Sequence, residues 1–234
     1  MSLQIFPILC NAGFMNNYAY LLIEENSGKS AIVDASEAAP IIKACEQHQV
    51  KPEYILVTHH HDDHTGANEE LKAKYNLKIA APKAEMNLIK GTDIPLEEGD
   101  EFVLGEAVAK IIDGAGHTNG HILYYFKEDK ALFTGDVLFN LNIGGLFEGT
   151  PAQMWQTLQK IKALPDDVRF YCGHEYTSFG LVNLPHNEAG DEYLAYVAPL
   201  LKRELPTVGV PLGLEKKCNP FLQINDLADF EKMF

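Results

Sequence analysis

The sequence predicts an α/β domain of layered strands and helices, followed by a helical segment. Three observations predict it. Through residue 81, apolar runs of strand length alternate with stretches of helical spacing. From 102 to 172 a second series of apolar runs is joined by Gly, Lys and Asp turns. After residue 175 the texture changes to helical spacing broken by glycine and proline.

In chain order, residues 3–9 read as a short strand and 11–17 as a Gly/Asn turn. Strands at 18–24 and 30–34 flank Asn26-Ser27-Gly28, the pattern of a hairpin. Residues 38–48 are helical through Ile41, Ile42 and Cys45, with Ser36 the expected N-cap and Pro40 tolerated in the first turn. A strand at 54–58, a helix at 66–75 and a strand at 78–81 follow. Further strands fall at 102–104, 108–112, 121–126 and 131–133. Thr150 and Pro151 mark the start of a helix over 151–163, and 168–172 is a last strand. Residues 188–205 are helical, with a kink expected at Pro199, and 226–233 form a short helix. A boundary near 175 divides the chain into domains at 1–175 and 176–234.

With 234 residues, 46% of them hydrophobic, the chain can bury a full core. Its net charge of −14 argues against a nucleic-acid groove or an anionic membrane, since both need a positive face. An anionic substrate would need a local positive field, which metal ions supply. Cys10, Cys45, Cys172 and Cys218 are scattered without a CxxC, so buried, reduced thiols are expected. The N-terminus has no basic stretch or long apolar run, and no run approaches the roughly 18 residues of a membrane span. A cytoplasmic location is the expectation.

The chemistry gathers at strand ends. The strand at 54–58 empties into His59-His60-His61-Asp62-Asp63-His64. Gly116-His117, Gly135-Asp136 and Gly173-His174 each follow another strand. Glycine permits a sharp exit and close backbone approach. Residues two apart on extended backbone point the same way, so His59 and His61 can chelate one ion while His60 points elsewhere. Asp63 and His64 lie beyond the strand, where the chain can turn towards a second ion. With His117, Asp136 and His174 the set is five imidazoles and two carboxylates. If Asp136 bridges, each ion has four protein bonds, and a bridging hydroxide completes both spheres. Such donors suit zinc, iron or manganese. His60 and Asp62 read as exposed or as supports, His121 and Glu175 as supports or ordinary residues, and Cys172 as a buried strand residue.

The stretch THHHDDH, with GHT, GD and GH downstream, resembles the metallo-β-lactamase superfamily, whose motif is HxHxDH followed by His, Asp and His. Within it the chain is most similar to glyoxalase II, the hydroxyacylglutathione hydrolase family. GHTNGHI at 116–122, FTGDVLF at 133–139, GGLFEGTPAQMWQTLQKI at 144–161, CGHEYT at 172–177 and CNPFL at 218–222 carry that likeness. The resemblance implies a four-layer αββα sandwich with a C-terminal helical appendage that helps bind glutathione. It implies that His59, His61 and His117 hold one divalent metal, that Asp63, His64 and His174 hold the other, and that Asp136 bridges. Zinc is the first expectation, with iron or manganese as alternatives.

The substrate contacts depart from the family. Where it carries a basic residue and an aromatic pair including a tyrosine, this chain has Gly145, Leu146 and Phe147. Gln223 stands where an arginine is usual, and only Lys232 remains of a terminal basic pair. Tyr176 is retained. Tyr176, Phe147, Gly145 and Lys232 are therefore the candidate substrate contacts. Each charge-assisted bond lost would cost about 1.5–3 kcal/mol if desolvated.

The expected activity is hydrolysis of a small-molecule thioester, S-D-lactoylglutathione to D-lactate and glutathione being the type reaction. The bridging hydroxide is the nucleophile, and Asp63 orients it. Alternatives are a hydrolase of a non-glutathione thioester or a lactone, a mononuclear-iron sulfur dioxygenase, and a non-enzymatic metal-binding domain.

Overall fold

Two six-stranded sheets stack face to face in the computed structural model, which describes residues 2–204 and 206–234. The first sheet runs in chain order: β1 (Leu3–Cys10), β2 (Asn17–Glu24), β3 (Ser30–Val33), β4 (Tyr54–Leu56), β5 (Lys78–Pro82) and β6 (Thr92–Leu96). Its first three strands are antiparallel and the rest parallel. Parallel neighbours need long crossovers. These are α1 (Ala38–Gln47) between β3 and β4, and α2 (Asp62–Thr65) with α3 (Asn68–Tyr75) between β4 and β5.

The central strands are apolar at nearly every position because both faces are covered. On β2, Tyr18, Tyr20 and Leu22 face the second sheet, while Ala19 and Leu21 join the core under α1 and α3. On β4, Leu56 faces the second sheet and Ile55 faces the helices.

The second sheet contains β7 (Glu101–Leu104), β8 (Ala107–Asp113), β9 (Ile122–Phe126) and β10 (Ala131–Gly135). The chain then forms a small hairpin, β11 (Leu138–Phe139) and β12 (Asn142–Ile143), and the helix α4 (Pro151–Lys162). It returns as β13 (Arg169–Cys172), parallel to β10. Thr150 caps α4 through a reciprocal capping box with Gln153, with Pro151 in the first turn.

The C-terminal part adds α5 (Thr177–Gly180), α6 (Glu188–Lys202), the edge strand β14 (Val210–Pro211), α7 (Leu212–Cys218), α8 (Pro220–Gln223) and α9 (Leu227–Glu231). Tyr193, Leu212 and Phe230 from these elements share one core with Leu158 of α4 and Phe170 of β13. The layers are therefore α1 and α3, the first sheet, the second sheet, and α4 with the C-terminal helices. This is the four-layer αββα sandwich that the motif resemblance implied.

Several local expectations are corrected. The helix expected from 66 begins earlier, as α2 at Asp62, and breaks at Gly66 before α3. Ser36 does not cap α1: Glu37 occupies the N-cap without a side-chain bond. The left-handed turn at Asp34 (φ 52°) carries Ser36 into the interior instead. Helix α6 runs through Pro199 to Lys202, and Leu205, where the expected helix ended, lies outside the described residues. Strands β6 and β14, which periodicity does not mark, are edge strands that each contain proline, as edges tolerate. All four cysteines are free and buried. Among the described residues no helix is long and apolar enough to cross a membrane.

One buried carboxylate joins the C-terminal helices to the hairpin. Glu215 of α7 is fully buried and accepts hydrogen bonds from the Leu141 backbone N–H (3.0 Å), Asn219 Nδ2 (2.9 Å) and the Tyr193 hydroxyl. Burial pushes its carboxyl up to about 7 against the pull of those donors. Between about pH 4.5 and 7 the folded chain keeps a proton that the unfolded chain has released, so this group's contribution to stability falls as pH rises through that window. A shift of this size corresponds to about 3 kcal/mol. Glu215→Gln should therefore gain stability over the wild type as pH is raised from about 5 to about 8. Urea denaturation at stepped pH reads this directly, and parallel curves for the two proteins would refute it.

Candidate metal centre

The strand ends named from the sequence meet at one edge of the sandwich. Beyond β4, Thr58 is pinned when its N–H and hydroxyl both donate to Asp34, at 2.8 Å each. The next residues extend to His61 (φ −58°, ψ 143°), and α2 then turns Asp63 and His64 back towards the cluster. His117 lies on the loop after β8, Asp136 follows β10 and His174 follows β13. Two of the glycines are needed for contact. A Cβ on Gly116 (φ 151°) would lie 2.8 Å from Met154 Cα, and one on Gly173 would collide with Asp136 Oδ1 and His64 Cε1.

All seven predicted ligand residues come together, and five of them are buried, His59, His64, His117, Asp136 and His174. His61 Nδ1 lies 3.1 Å from His59 Nε2 and 3.0 Å from His117 Nε2. In the second group His64 Nε2 and His174 Nε2 are 3.4 Å apart, and Asp63 Oδ2 is 3.5 and 3.4 Å from them. Asp136 stands between the groups: Oδ1 is 3.3 Å from His64 Nε2, while Oδ2 is 3.2 Å from His174 Nε2 and 3.5 Å from His117 Nε2. Tetrahedral bonds of about 2.1 Å put ligand atoms roughly 3.3 Å apart, so these spacings are those of donors around a cation. The buried Asp136 Oδ1 has no hydrogen-bond partner of its own. The donor set therefore fits divalent metal.

Tautomers are set by the far ring nitrogens. His64 Nδ1–H donates to Asp34 Oδ2 (3.0 Å), His117 Nδ1–H to the Gly145 carbonyl (2.7 Å) and His174 Nδ1–H to the Met15 carbonyl (2.9 Å). The Thr58 hydroxyl spends its hydrogen on Asp34, so it accepts from His59 Nδ1–H at 3.0 Å. Each of these four rings is thereby left with its Nε2 lone pair aimed into the cluster.

The electrostatics agree. Burial, with neighbouring His64, holds His59 well below the usual imidazole range, and burial lowers His61 and His117 as well. Burial also opposes charge on His64 and His174. Asp136 outweighs it, helped by Asp34 at His64 and by Asp63 at His174, and draws protons onto both rings, His174 reaching about 9. Burial disfavours the charged form of Asp136 and Asp63 too, but the surrounding imidazoles hold both carboxyls low. The same negative field favours a bound cation.

Of the candidate substrate contacts, Gly145, Phe147 and Tyr176 line the cavity over the cluster. Gly145 also fixes His117 through its carbonyl. Tyr176 stacks on His174 with ring centroids 4.7 Å apart. Lys232 does not line the cavity. Phe230 packs α9 onto Trp155 of α4, which leaves Lys232 exposed and paired with Asp229 at 2.6 Å. His121 is a support: it is buried, stacks on His59 at 4.8 Å and accepts the Asp136 N–H at 3.2 Å. His60 turns away to Glu85 and Glu148, at 3.0 and 3.2 Å, and Asp62 is exposed. Glu175 is half-buried and accepts from the Tyr18 and Thr207 hydroxyls.

Sequence reasoning missed three supports. Asp34 serves Thr58 and His64 together. Asn17 donates to Asp63 Oδ2 at 2.9 Å. Buried Glu85 ties the two histidine loops, accepting from the His60 N–H (2.8 Å), Thr118 Oγ1 (2.5 Å) and the Gly120 N–H (2.8 Å). Asp34 ends a predicted strand, the signature used for the ligands themselves, and was findable on that ground. Asp34→Asn keeps a residue that tolerates the left-handed backbone there but removes the negative acceptor of the His64 N–H. Metal affinity should fall about 10–100-fold. Competition with a chromogenic chelator measures it, and unchanged affinity would contradict the orienting role.

Residues 12–174 match the model of the Metallo-beta-lactamase superfamily, and 175–232 match that of the Hydroxyacylglutathione hydrolase C-terminus. A hydroxyacylglutathione hydrolase of Rhodopseudomonas palustris (strain HaA2) is 44% identical over 225 residues, covering 94% of this chain and 86% of the relative. Another, of Brucella anthropi, is 43% identical over 228 residues, covering 96% and 86%. Among solved structures, BLEG-1 B3 metallo-beta-lactamase superposes with a TM-score of 0.75 at 21% identity, covering 94% of this chain and 100% of that one. ETHE1 from Myxococcus xanthus superposes at 0.76 with 18% identity, covering 98% and 89%. At those identities the structural likeness speaks to the fold alone. The sequence relatives reach further, and the chain belongs to the metallo-beta-lactamase superfamily and, within it, to the hydroxyacylglutathione hydrolases.

Proposed function

We propose that the chain hydrolyses thioesters of the hydroxyacylglutathione class at a centre of two divalent ions. His59, His61 and His117 would hold one ion, Asp63, His64 and His174 would hold the other, and Asp136, placed between the two groups, would serve both. The position of Asp136, within 3.5 Å of ring nitrogens from both groups, carries this reading. Zinc suits the donor set best, and iron or manganese are compatible with it. When bound, such ions make an activated water available at neutral pH and polarise a carbonyl oxygen.

The chain's own residues do the rest. Asp63, fixed by Asn17, presents its carboxylate between His64 and His174 at the cavity wall, where it orients the attacking water. Phe147, edge-on to His61 and His117, and Tyr176, flat on His174, limit the approach of other water. A thiolate is a stable leaving group, so no side chain must protonate it. No side-chain nucleophile competes: Cys172 is buried, its thiol donates to the His174 carbonyl, and burial pushes its pKa far up. On this reading residues 1–175 carry the chemistry and 176–234 help hold substrate. Four buried free thiols suit a reducing compartment such as the cytoplasm.

Metal-loaded protein should release thiol from S-D-lactoylglutathione with two ions bound per chain and no oxygen consumed. Chelation should abolish turnover, and added metal should restore it. Asp136→Ala should lose at least one ion and about 10³-fold or more in kcat/KM, since it removes a donor from both ions. Metal analysis beside a thiol-release assay tests this. One bound ion with oxygen uptake, or two ions without turnover of any thioester, would defeat the reading.

A further inference from the structure

The small hairpin β11–β12 connects two parts of the metal centre. It begins just after Asp136 and leads into Gly145, whose carbonyl holds His117. Phe139, Asn142 and Ile143 of this hairpin line the cavity over the cluster. The Phe139 ring stands edge-on to His174 at 5.8 Å and to Tyr176 at 5.4 Å. Yet the ladder has only two residue pairs, Leu138 with Ile143 and Phe139 with Asn142. A lone two-stranded hairpin is marginal in water. Its turn also puts Leu141, a bulky residue, in the left-handed region at φ 58°. Something outside the hairpin has to hold it.

The C-terminal part does so. Glu215 accepts the Leu141 N–H at 3.0 Å, and Asn219 Nδ2 donates to the Asn142 carbonyl at 3.1 Å and to Glu215 at 2.9 Å. Asn183 Nδ2 donates to the Leu141 carbonyl at 3.0 Å. Asn140 Nδ2 donates to the Thr177 hydroxyl at 2.6 Å and to the Thr207 carbonyl at 2.7 Å. Leu141, Glu215 and Asn219 are fully buried. Burying a carboxylate is costly, and this one is surrounded by donors that belong to the turn or to the residue that holds it. Among the described residues beyond 175, Tyr176 alone lines the cavity. The C-terminal part therefore meets the substrate space mainly through the hairpin.

We propose that Glu215 and Asn219 are positioning residues, which fix the β11–β12 hairpin so that Phe139, Asn142 and Ile143 form a preorganised wall for the substrate. Neither residue touches the substrate itself. The proposal rests on the thioester hydrolysis proposed above and specifies how the C-terminal part serves it.

Three variants test it. Glu215→Leu removes the acceptor at similar size. Glu215→Gln keeps it, because its carbonyl oxygen can accept from Leu141 and Asn219 while its amide donates to the Tyr193 hydroxyl. Asn219→Ser keeps an oxygen to cap α8, where Asn219 Oδ1 accepts the Phe221 N–H at 3.0 Å, but is too short to reach Asn142. With metal-loaded protein and S-D-lactoylglutathione, Glu215→Leu and Asn219→Ser should raise KM about tenfold, leave kcat within about threefold and retain two ions, the pattern of lost binding. Glu215→Gln should return KM to within about twofold of the wild type. Hydrogen exchange read by mass spectrometry follows the hairpin without any turnover. Residues 137–144 should exchange about tenfold faster or more in Glu215→Leu and Asn219→Ser, while β2 and β9 keep their protection. Asn219→Ser carries the test if Glu215→Leu does not fold. Unchanged KM in a folded variant, or lost ions and kcat at constant KM, overturns this inference and leaves the hydrolase standing. A wild type that turns over no thioester overturns both.

Discussion

Five imidazoles and two carboxylates aim their lone pairs into one small volume, and electron pairs facing one another at 3.0–3.5 Å repel unless a cation lies among them. Much of the surrounding structure is arranged to maintain that convergence. Four rings have their far nitrogen tied to Asp34, Thr58, Gly145 or Met15, so none can rotate its inward lone pair away without breaking a hydrogen bond. The carboxylates Asp136, Asp34 and Asp63 lie close enough to His64 and His174 to draw positive charge onto those rings, the same field that would favour a cation there.

The fold supplies the precision. His59, His61, His117, Asp136 and His174 lie within a few residues of a strand end, and Asp63 and His64 on the α2 turn that follows β4, so most of the cluster inherits the placement of the sheets. The two sheets are locked together near the site as well as through the apolar core. Tyr18 N–H donates to the Gly173 carbonyl, and the Tyr20 hydroxyl donates to the Cys172 carbonyl. Glu85 binds the loop of His59 and His61 to the loop of His117. The ligand groups thus belong to a frame in which β4, β8, β10 and β13 cannot shift independently.

How much of this was legible in the sequence follows from what each part depends on. The ligand cluster was legible because its signal is local: alternate histidines on extended backbone, then single ligands beside glycines at strand ends. The long strands and α4 were legible for the same reason, since Thr150-Pro151 and the apolar runs state their own structure. Most of the supports were not. Glu85 sits in a short 3₁₀ turn with no periodic signal, and only the meeting of two loops gives its carboxylate three donors. Strand β14 is two residues long and exists because β13 offers it an edge. Ser36 failed as a cap because the turn at Asp34, needed to hold Thr58 and His64, decides where the serine points. Lys232 stands off the cavity because α9 is placed by Phe230 and Trp155, residues far along the chain from one another.

These two kinds of information divide the protein's work. The cluster residues sit at strand ends and on α2, and most are held by hydrogen bonds to neighbours, so a change at one of them disturbs others. The rest of the cavity wall, where a substrate's remainder would lie, is built from the 142–147 loop and Tyr176, and Phe147 there projects with few constraints. A cavity wall built this way can exchange a basic residue for glycine at 145 and leave the metal-type geometry intact, because only the Gly145 carbonyl is used by His117. Chemistry and selectivity therefore respond to different parts of the sequence. The first is set by the geometry of the cluster, while the second has to be read from the side chains that face the cavity.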